Sequence, residues 1–390
     1  MKKIFLSLIL LAGISVQAQK QSIFGFSSPD IPFQWKAIQE FSPSNTNTIK
    51  TIYDGKQALQ VFDGHTRKSA SANADAGLVA AAGYNETTKQ LFYIPMHAAE
   101  LRWAQWNGHQ APTIYSIKSN ILSLLDFNKT EQQITRMTID RKGVGYALTN
   151  DAMHLIEFTT GERPILRDLG PLIDAGSNGQ NSIHNACSSF GGDMVAGDDG
   201  YIYLITQRSN IYVFSPQTRI AKHLGSINGL PQLFTPNGAA AMANGELLLS
   251  CSNGDQNCYI VNPENWEARS LSTENPKDFN MSDLASGYLL SRKPKPASFF
   301  QDNHTSLHVF PNPMSRSRLQ ISLENAVSGN YQVQLLDMTG KVINQQIINL
   351  SQGSQSVYLN YPAETAKGTY IIKVSNPSDK TIHSSKLMIQ

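Results

Sequence analysis

Short apolar runs, each closed by a polar turn that holds a glycine, recur along the chain from residue 78 to residue 290. Met137-Thr138-Ile139 is followed by Asp140-Arg141-Lys142-Gly143 and then by Val144-Gly145-Tyr146-Ala147-Leu148. The same beat returns at residues 194–204 around Asp198-Asp199-Gly200, at 239–249 around Asn244-Gly245, at 281–290 around Ser286-Gly287, and more loosely at 78–94. Two β-forming runs about a tight turn predict a hairpin. A third and fourth strand follow at residues 154–158 and 165–170, at 211–216 and 220–225, and at 258–263 and 268–271. Copies about 40–55 residues apart suit four-stranded blades of a β-propeller and are too long for a hexapeptide β-helix.

The ends of this region complement one another. The last copy supplies two inner strands before Pro294 and Pro296 break the pattern, while residues 35–43 and 49–53 read as outer strands with no inner pair before them. Completing the last blade with N-terminal strands closes the ring and removes both exposed edges. The expectation is an all-β, propeller-like domain of about five blades. Six is the alternative, because residues 57–76 and 105–129 resist placement, and an array of irregular β-sandwiches is the competing architecture. No segment of the passenger sustains a 3.6-residue period over many residues, which disfavours a helical fold.

Beyond Arg292, Lys293-Pro294-Lys295-Pro296 and the polar residues 301–306 read as an extended linker. Alternation then resumes, as in Tyr331-Gln332-Val333-Gln334-Leu335, and predicts a small antiparallel sandwich of immunoglobulin-like class. Four motifs punctuate it: Val309-Phe310-Pro311-Asn312-Pro313, Leu335-Leu336-Asp337-Met338-Thr339-Gly340-Lys341, Gly368-Thr369-Tyr370-Ile371-Ile372-Lys373-Val374, and Lys386-Leu387-Met388-Ile389-Gln390. In this order they resemble the type A C-terminal sorting domain of the type IX secretion system of Bacteroidetes. That resemblance implies recognition by the outer-membrane translocon, removal by a sortase-like peptidase, and attachment of the passenger to anionic lipopolysaccharide at the cell surface, or its release.

On the residues themselves, Pro311 and Pro313 are expected to stiffen the approach to the first strand of the sandwich. Gly340 with Lys341 closes a hairpin after Asp337, and Gly368 starts the strand that carries Tyr370. Asn312 completes the first motif. Lys386 and its apolar neighbours are the candidates for direct recognition, by addition of the terminal strand to a receptor's sheet edge.

The other end carries a second address. Lys2 and Lys3 precede the apolar residues 4–16, and Val16-Gln17-Ala18 supplies the small residues a signal peptidase reads. The run is short of the roughly 20 residues that span a bilayer, so the expectation is a cleaved signal handled by the Sec translocase and signal peptidase. The reading therefore divides the chain into a signal peptide (1–18), a propeller-like passenger (19–293), a linker (294–308) and a sorting domain (309–390).

Composition adds two exclusions and one question. A formal net charge of +2, with acidic and basic residues interspersed, gives no field for nucleic acid or anionic lipid. A hydrophobic fraction of 41% is that of a globular chain, not a disordered one. Three cysteines in an exported protein invite pairing. Cys251 and Cys258 flank a turn-rich stretch, so a disulfide stapling a hairpin tip is one reading and two reduced thiols the other, with Cys187 left over.

Catalytic signatures are missing: the sequence has no HExxH, G-x-S-x-G, P-loop or strand-linked G-x-G-x-x-G. His304 and His308 lie in the expected linker, Asp198-Asp199-Gly200 is explained as a hairpin turn, and no metal or cofactor is implied. Propeller ligands meet the loops that lead into the innermost strands. That rim would draw on Asn73, Asp75, Arg136, His184, Asn185, Asn237 and Asp283. The favoured function is a non-enzymatic binding module for an unidentified extracellular ligand. The rival is a hydrolase or lyase acting on glycans or peptides, which needs carboxylates such as Asp75, Asp283 and Glu100 to meet beside a pocket.

Overall fold

The computed structural model describes residues 22–28, 34, 36–56, 60–70, 78–106, 111–252, 257–271, 279–292, 306–310, 312–314, 318–326, 329–350, 353–361, 365–375 and 381–389. The expected signal segment, Pro311 and most of the linker lie outside them.

Three strands open the described chain: β1 (Ile23–Ser27), β2 (Ala37–Ser42) and β3 (Asn45–Tyr53). β4 (Val61–Asp63) precedes a meander of β5 (Val79–Asn85), β6 (Gln90–Pro95), β7 (Glu100–Gln105) and β8 (Thr113–Lys118). The next meander is β9 (Ile134–Ile139), β10 (Val144–Thr149), β11 (Leu155–Thr159) and β12 (Leu166–Asp168). β13 (Ile173–Asp174) leads to β14 (Asp193–Ala196), β15 (Ile202–Ile205), β16 (Asn210–Phe214) and β17 (Ile220–Ser226). β18 (Gly238–Ala241), β19 (Leu247–Ser250), β20 (Tyr259–Asn262) and β21 (Glu267–Ser270) follow, and β22 (Met281–Ser286) ends the series.

These strands form five sheets among the described residues, ordered from the inside outward as β22-β1-β2-β3, β5-β6-β7-β8-β4, β9-β10-β11-β12, β14-β15-β16-β17-β13 and β18-β19-β20-β21. The five innermost strands stand side by side in a ring, with β18 returning to β22. The fold is a five-bladed propeller. Each hairpin turn has a local cause: in the fourth blade, Asp199 accepts from the Tyr201 amide (3.1 Å) and the Tyr203 hydroxyl (2.6 Å), so turn and following strand specify each other.

Closure differs from expectation in its division. The C-terminal end gives the first blade one strand and the N-terminal end gives three, β1 pairing antiparallel with β22 through Ile23↔Ser286 and Gly25↔Leu284. The segment after β22 builds no second strand there. Instead Leu290 bridges to Ala196 and Asp198, and Ser291 donates to Gly245 O, so it runs to the inner hairpins of the fourth and fifth blades. The two stretches that resisted placement supply β4, a parallel edge strand on β8, and, with β8, a short helix at Asn120–Ser123.

Apolar side chains fill the gap between each pair of neighbouring blades. Phe24, Phe26 and Tyr93 join blades one and two, and Phe92, Trp103, Ile139 and Phe158 join two and three. Leu148, Leu155, Tyr212 and Phe214 join three and four; Tyr203, Val213, Leu249 and Trp266 join four and five; and Phe41, Leu248 and Phe279 close five onto one.

The C-terminal unit is a two-sheet sandwich with its own core. Its strands are β23 (Ser306–Phe310), β24 (Arg318–Ala326), β25 (Gly329–Leu336), β26 (Val342–Leu350), β27 (Gly353–Asn360), β28 (Gly368–Ser375) and β29 (Thr381–Ile389). They form sheets β23-β24-β27 and β26-β25-β28-β29. Leu319, Tyr331, Leu335, Ile372 and Leu387 lie between them. β23 begins inside the span read as linker and places His308 opposite Ser322. Asn312 and Pro313 therefore follow the first strand, correcting the reading that the proline motif leads into it.

Candidate functional site in the central channel

An innermost strand pairs with its own blade along one edge only; the other edge faces the channel, where its amides need acceptors. Asp193, the first residue of β14, meets that need for three strands at once. Its Oδ1 accepts from Met194 N (2.7 Å) and Met137 N (3.4 Å) on β9, and its Oδ2 from Ala239 N (2.8 Å) on β18. Asp283, fully buried on β22, lies against Asp193 and faces the amides of Leu284 and of Ala82 on β5. Taken as an ionised carboxylate, Asp283 has no donor at ordinary hydrogen-bond length on either oxygen. The two side chains thus touch all five inner strands, and a proton held between them resolves the mismatch.

The electrostatics follow from burial. Loss of water pushes the Asp193 carboxyl up to about 7, against the opposing hydrogen bonds from Asp283, Ala239, Met194 and Met137. Burial, then the charge of Asp193, raises Asp283 well above the usual carboxylate range. Burial of two neighbouring carboxyls raises both and favours a proton shared between them.

Arg136 holds the loop that delivers Asp193. It is fully buried on β9, not on the rim, and donates to the carbonyls of Ser189, Gly191 (3.0 and 3.1 Å), Thr149 (3.3 Å) and Asn150 (3.3 Å). Burial lowers its guanidinium to about 10, partly offset by the charge of Asp193. The loop turns through Gly192 at φ +81°, where an added Cβ would sit 1.9 Å from Ile205 O, so only glycine fits. Asp193 escaped the sequence reading, yet a signal was there. Arg136, Asp193 and Gly238 stand at one offset before the hairpin glycines Gly143, Gly200 and Gly245, which marks a ring of equivalent channel positions.

The remaining rim candidates are scattered. Both ring nitrogens of His184 face carbonyl oxygens, Asp151 O at 2.7 Å and Leu172 O at 3.1 Å. Asn185 caps the short helix Ala186–Ser189 by accepting from Cys187 N. Asn237 accepts from the amide and hydroxyl of Ser252, both at 2.9 Å. Asn73 and Asp75 lie outside the described residues. Glu100 sits on β7 bound to Arg102 and Ser116.

Beside the carboxyl pair the channel holds a cavity of about 10 Å³, lined by Ala82, Gly83, Ala196, Ala241, Ser286 and Tyr288 among others. That is room for one water molecule at most.

The cysteine pairing is not formed. Cys251 and Cys258 are both buried free thiols. The register Leu249↔Tyr259 places Cys258 opposite Ser250, so the two cysteines point to opposite faces of the fifth blade. Cys251 joins the core toward the fourth blade and Cys258 the core toward the first.

In the C-terminal unit, Asn312 Nδ2 donates to Lys386 O (2.8 Å), Met388 N donates to Asn312 Oδ1 (2.9 Å), and Met314 N donates to Met388 O (2.7 Å). The first and last motifs are one assembly, and the edge of β29 at Lys386 is occupied, not open for strand addition. Asp337 accepts from Thr339 N, Thr339 Oγ1 and Lys341 N, bonds that hold its carboxyl below the usual range and close the β25–β26 turn with Gly340. Gly368 opens β28, and the hydroxyl of buried Tyr370 donates to Ala366 O (2.8 Å).

Comparison with known proteins supports the C-terminal reading. The family described as the secretion system C-terminal sorting domain matches residues 308–390. No curated protein matches the chain. Among solved structures, virginiamycin B lyase from Staphylococcus aureus is similar at 10% identity and TM-score 0.36, covering 95% of this chain and 97% of its own. The periplasmic gluconolactonase of Pseudomonas aeruginosa gives 10% identity and TM-score 0.35 over 95% and 96%. PorZ, a surface component of the type IX secretion system of Porphyromonas gingivalis, gives 12% identity and TM-score 0.25 over 92% of this chain and 50% of its own.

Proposed function

We propose that this chain, whose residues 308–390 are a secretion-system C-terminal sorting domain, is type IX cargo whose five-bladed propeller binds a ligand without transforming it. The observation that carries the second half is the state of the channel. Of the acid pair buried there among the described residues, Asp193 spends both oxygens on the amides of neighbouring strands and Asp283 is fully buried, while the channel cavity is only about 10 Å³ and is lined by neither carboxyl. General acid–base work needs an acid and a base within reach of a bound substrate, and here the pair is sealed from any molecule larger than water.

The rival reading, a hydrolase or lyase, needs Asp283 to meet a second carboxyl beside a pocket, which requires the channel to open. The two are separated by incubating the exported protein with chromogenic glycosides and peptide substrates. We expect no turnover; conversion that disappears in a folded Asp283→Asn variant overturns the non-enzymatic reading.

The export half is tested in a host with a working type IX system. The route comprises Sec translocation, signal-peptide removal, passage through the outer-membrane translocon, and sortase processing with release or attachment to anionic lipopolysaccharide. Deleting residues 386–390 removes the partners of Asn312 and is expected to trap the protein in the periplasm; normal surface delivery of that form contradicts the proposal. Mass spectrometry of the exported protein is expected to find a new C-terminus between Lys293 and Val309.

A further inference from the structure

Away from the channel, at the tip of the second blade, a cavity of about 260 Å³ lies between the β5–β6 turn and the ends of β7 and β8. The register explains its lining. Trp103↔Tyr115 and Gln105↔Thr113 are cross-strand pairs, so these four side chains share one face. Trp103 is fully buried and stacks on Tyr115 with centroids 5.3 Å apart and planes 19° apart. The Arg67 guanidinium covers Tyr115 at 4.4 Å. Gln105 and Thr113 continue that face outward into the cavity. Just past the strand end, Trp106 is held edge-on against Phe24 at 5.3 Å. Thr88 and Lys89 close the other wall, and the buried Thr88 Oγ1 has no hydrogen-bond partner.

The chemistry of this lining is selective. Two ring systems are fixed by their neighbours, so they bind without loss of side-chain freedom. Beside them stand the Gln105 amide and the Thr113 hydroxyl, which donate and accept. Lys89 is paired with Glu86, so the site carries no uncompensated charge to draw an anion. Among the described lining residues Ala111 is the only aliphatic side chain, which disfavours a wholly apolar ligand. A pyranose ring presents an apolar C–H face to stack on an aromatic and a rim of hydroxyls to pair with amides and hydroxyls. The volume lies just below the roughly 300 Å³ at which pockets for larger small molecules begin, the size for one sugar unit or a chain end.

We infer that this pocket is a binding site for a neutral glycan, engaged through one pyranose stacked at Trp106, beside Tyr115, and hydrogen-bonded by Gln105 and Thr113. The inference rests on the non-catalytic reading above and gives it a ligand class.

The test titrates the full-length protein, freed of its signal segment, with the methyl glycosides of mannose, glucose, galactose and N-acetylglucosamine. Saturation-transfer NMR and tryptophan fluorescence read binding, and an extended hexapeptide serves as competitor. At least one glycoside is expected to bind. Trp106→Ala is expected to weaken it about tenfold, equivalent to ~1.4 kcal/mol, and Gln105→Ala and Thr113→Val, which leave the Phe24 contact intact, severalfold. Absence of binding by all four glycosides at tens of millimolar overturns the inference, as does unchanged affinity in the three variants or displacement by the peptide. Glycoside conversion is followed in the same samples. Conversion abolished by Asp283→Asn would sink the non-catalytic reading while leaving the pocket standing, whereas binding without conversion supports both.

Discussion

The two channel carboxyls are not interchangeable, and the asymmetry is measurable. Asp193 uses both oxygens as acceptors from Met194, Met137 and Ala239, so Asp193→Asn turns an NH2 group toward an amide or toward Asp283. A buried donor left facing a donor costs about 1–3 kcal/mol. Asp283→Asn instead supplies a permanent donor where the shared proton sits, and the cost is expected to stay below ~1 kcal/mol. Urea midpoints at pH 8, above the raised Asp193 value, decide this, and equal damage in both variants refutes the proton-sharing geometry. The pair also sets a pH slope. Both carboxyls are raised in the folded state, Asp193 to about 7, so the folded protein holds protons that the unfolded chain has released. Their contribution is therefore fully present below the ordinary aspartate range near 4 and is lost as pH rises toward 7. Asp283→Asn is expected to flatten the wild-type decline over that window; superimposable pH profiles would contradict it. The sequence exposed Asp283 as a channel-end residue, but not Asp193 or the proton between them. The contact joins strands ninety positions apart, and only the ring brings them together.

At the level of strands, the hairpins with a glycine turn were legible because alternation, turn chemistry and β-formers agree locally, as at Met194 through Leu204. β1 was not. Its five residues, Ile-Phe-Gly-Phe-Ser, carry no alternation because every one of them is buried, and the partner that makes them a strand is β22. β4 and β13 were invisible for a similar reason: two- and three-residue parallel edges exist only because β17 and β8 offer them a ladder. Gly25 marks how tightly β1 is seated, since a Cβ there would fall 2.1 Å from Met281 Sδ. Gly25→Val is expected to cost about 1–3 kcal/mol through overpacking, seen as a lowered melting temperature; an unchanged one means that the closing strand is looser than its geometry. In the sorting unit, Asn312→Ala removes the side-chain ladder on β29. The expected loss is about 1–2 kcal/mol for two hydrogen bonds, with faster hydrogen exchange at the Met388 amide, and unchanged exchange there would show that Met314 alone secures the edge.

Across the whole molecule, the division of apolar residues into separate cores decides how the chain unfolds. Every side chain in the five inter-blade clusters comes from residues 23–290, and every one in the sandwich core from residues 309–389. A closed ring has no weakest edge from which to fray: removing any one blade exposes two apolar faces, so the propeller is expected to unfold as a single cooperative unit. The sandwich, with its own buried set, should unfold as a second. This two-module arrangement was legible in the sequence through the proline-bearing stretch after Arg292, whereas the sealed channel was not, because small residues such as Ala82 and Ala241 carry no pattern until five strands converge. Differential scanning calorimetry of the full chain is therefore expected to show two transitions, and a chain ending at Lys293 to retain the propeller transition within a few degrees. Loss of that transition, or a large fall in its midpoint, would mean that the sorting unit props up the cargo. Removal of the tag after export, as proposed above, would then cost the cargo its fold.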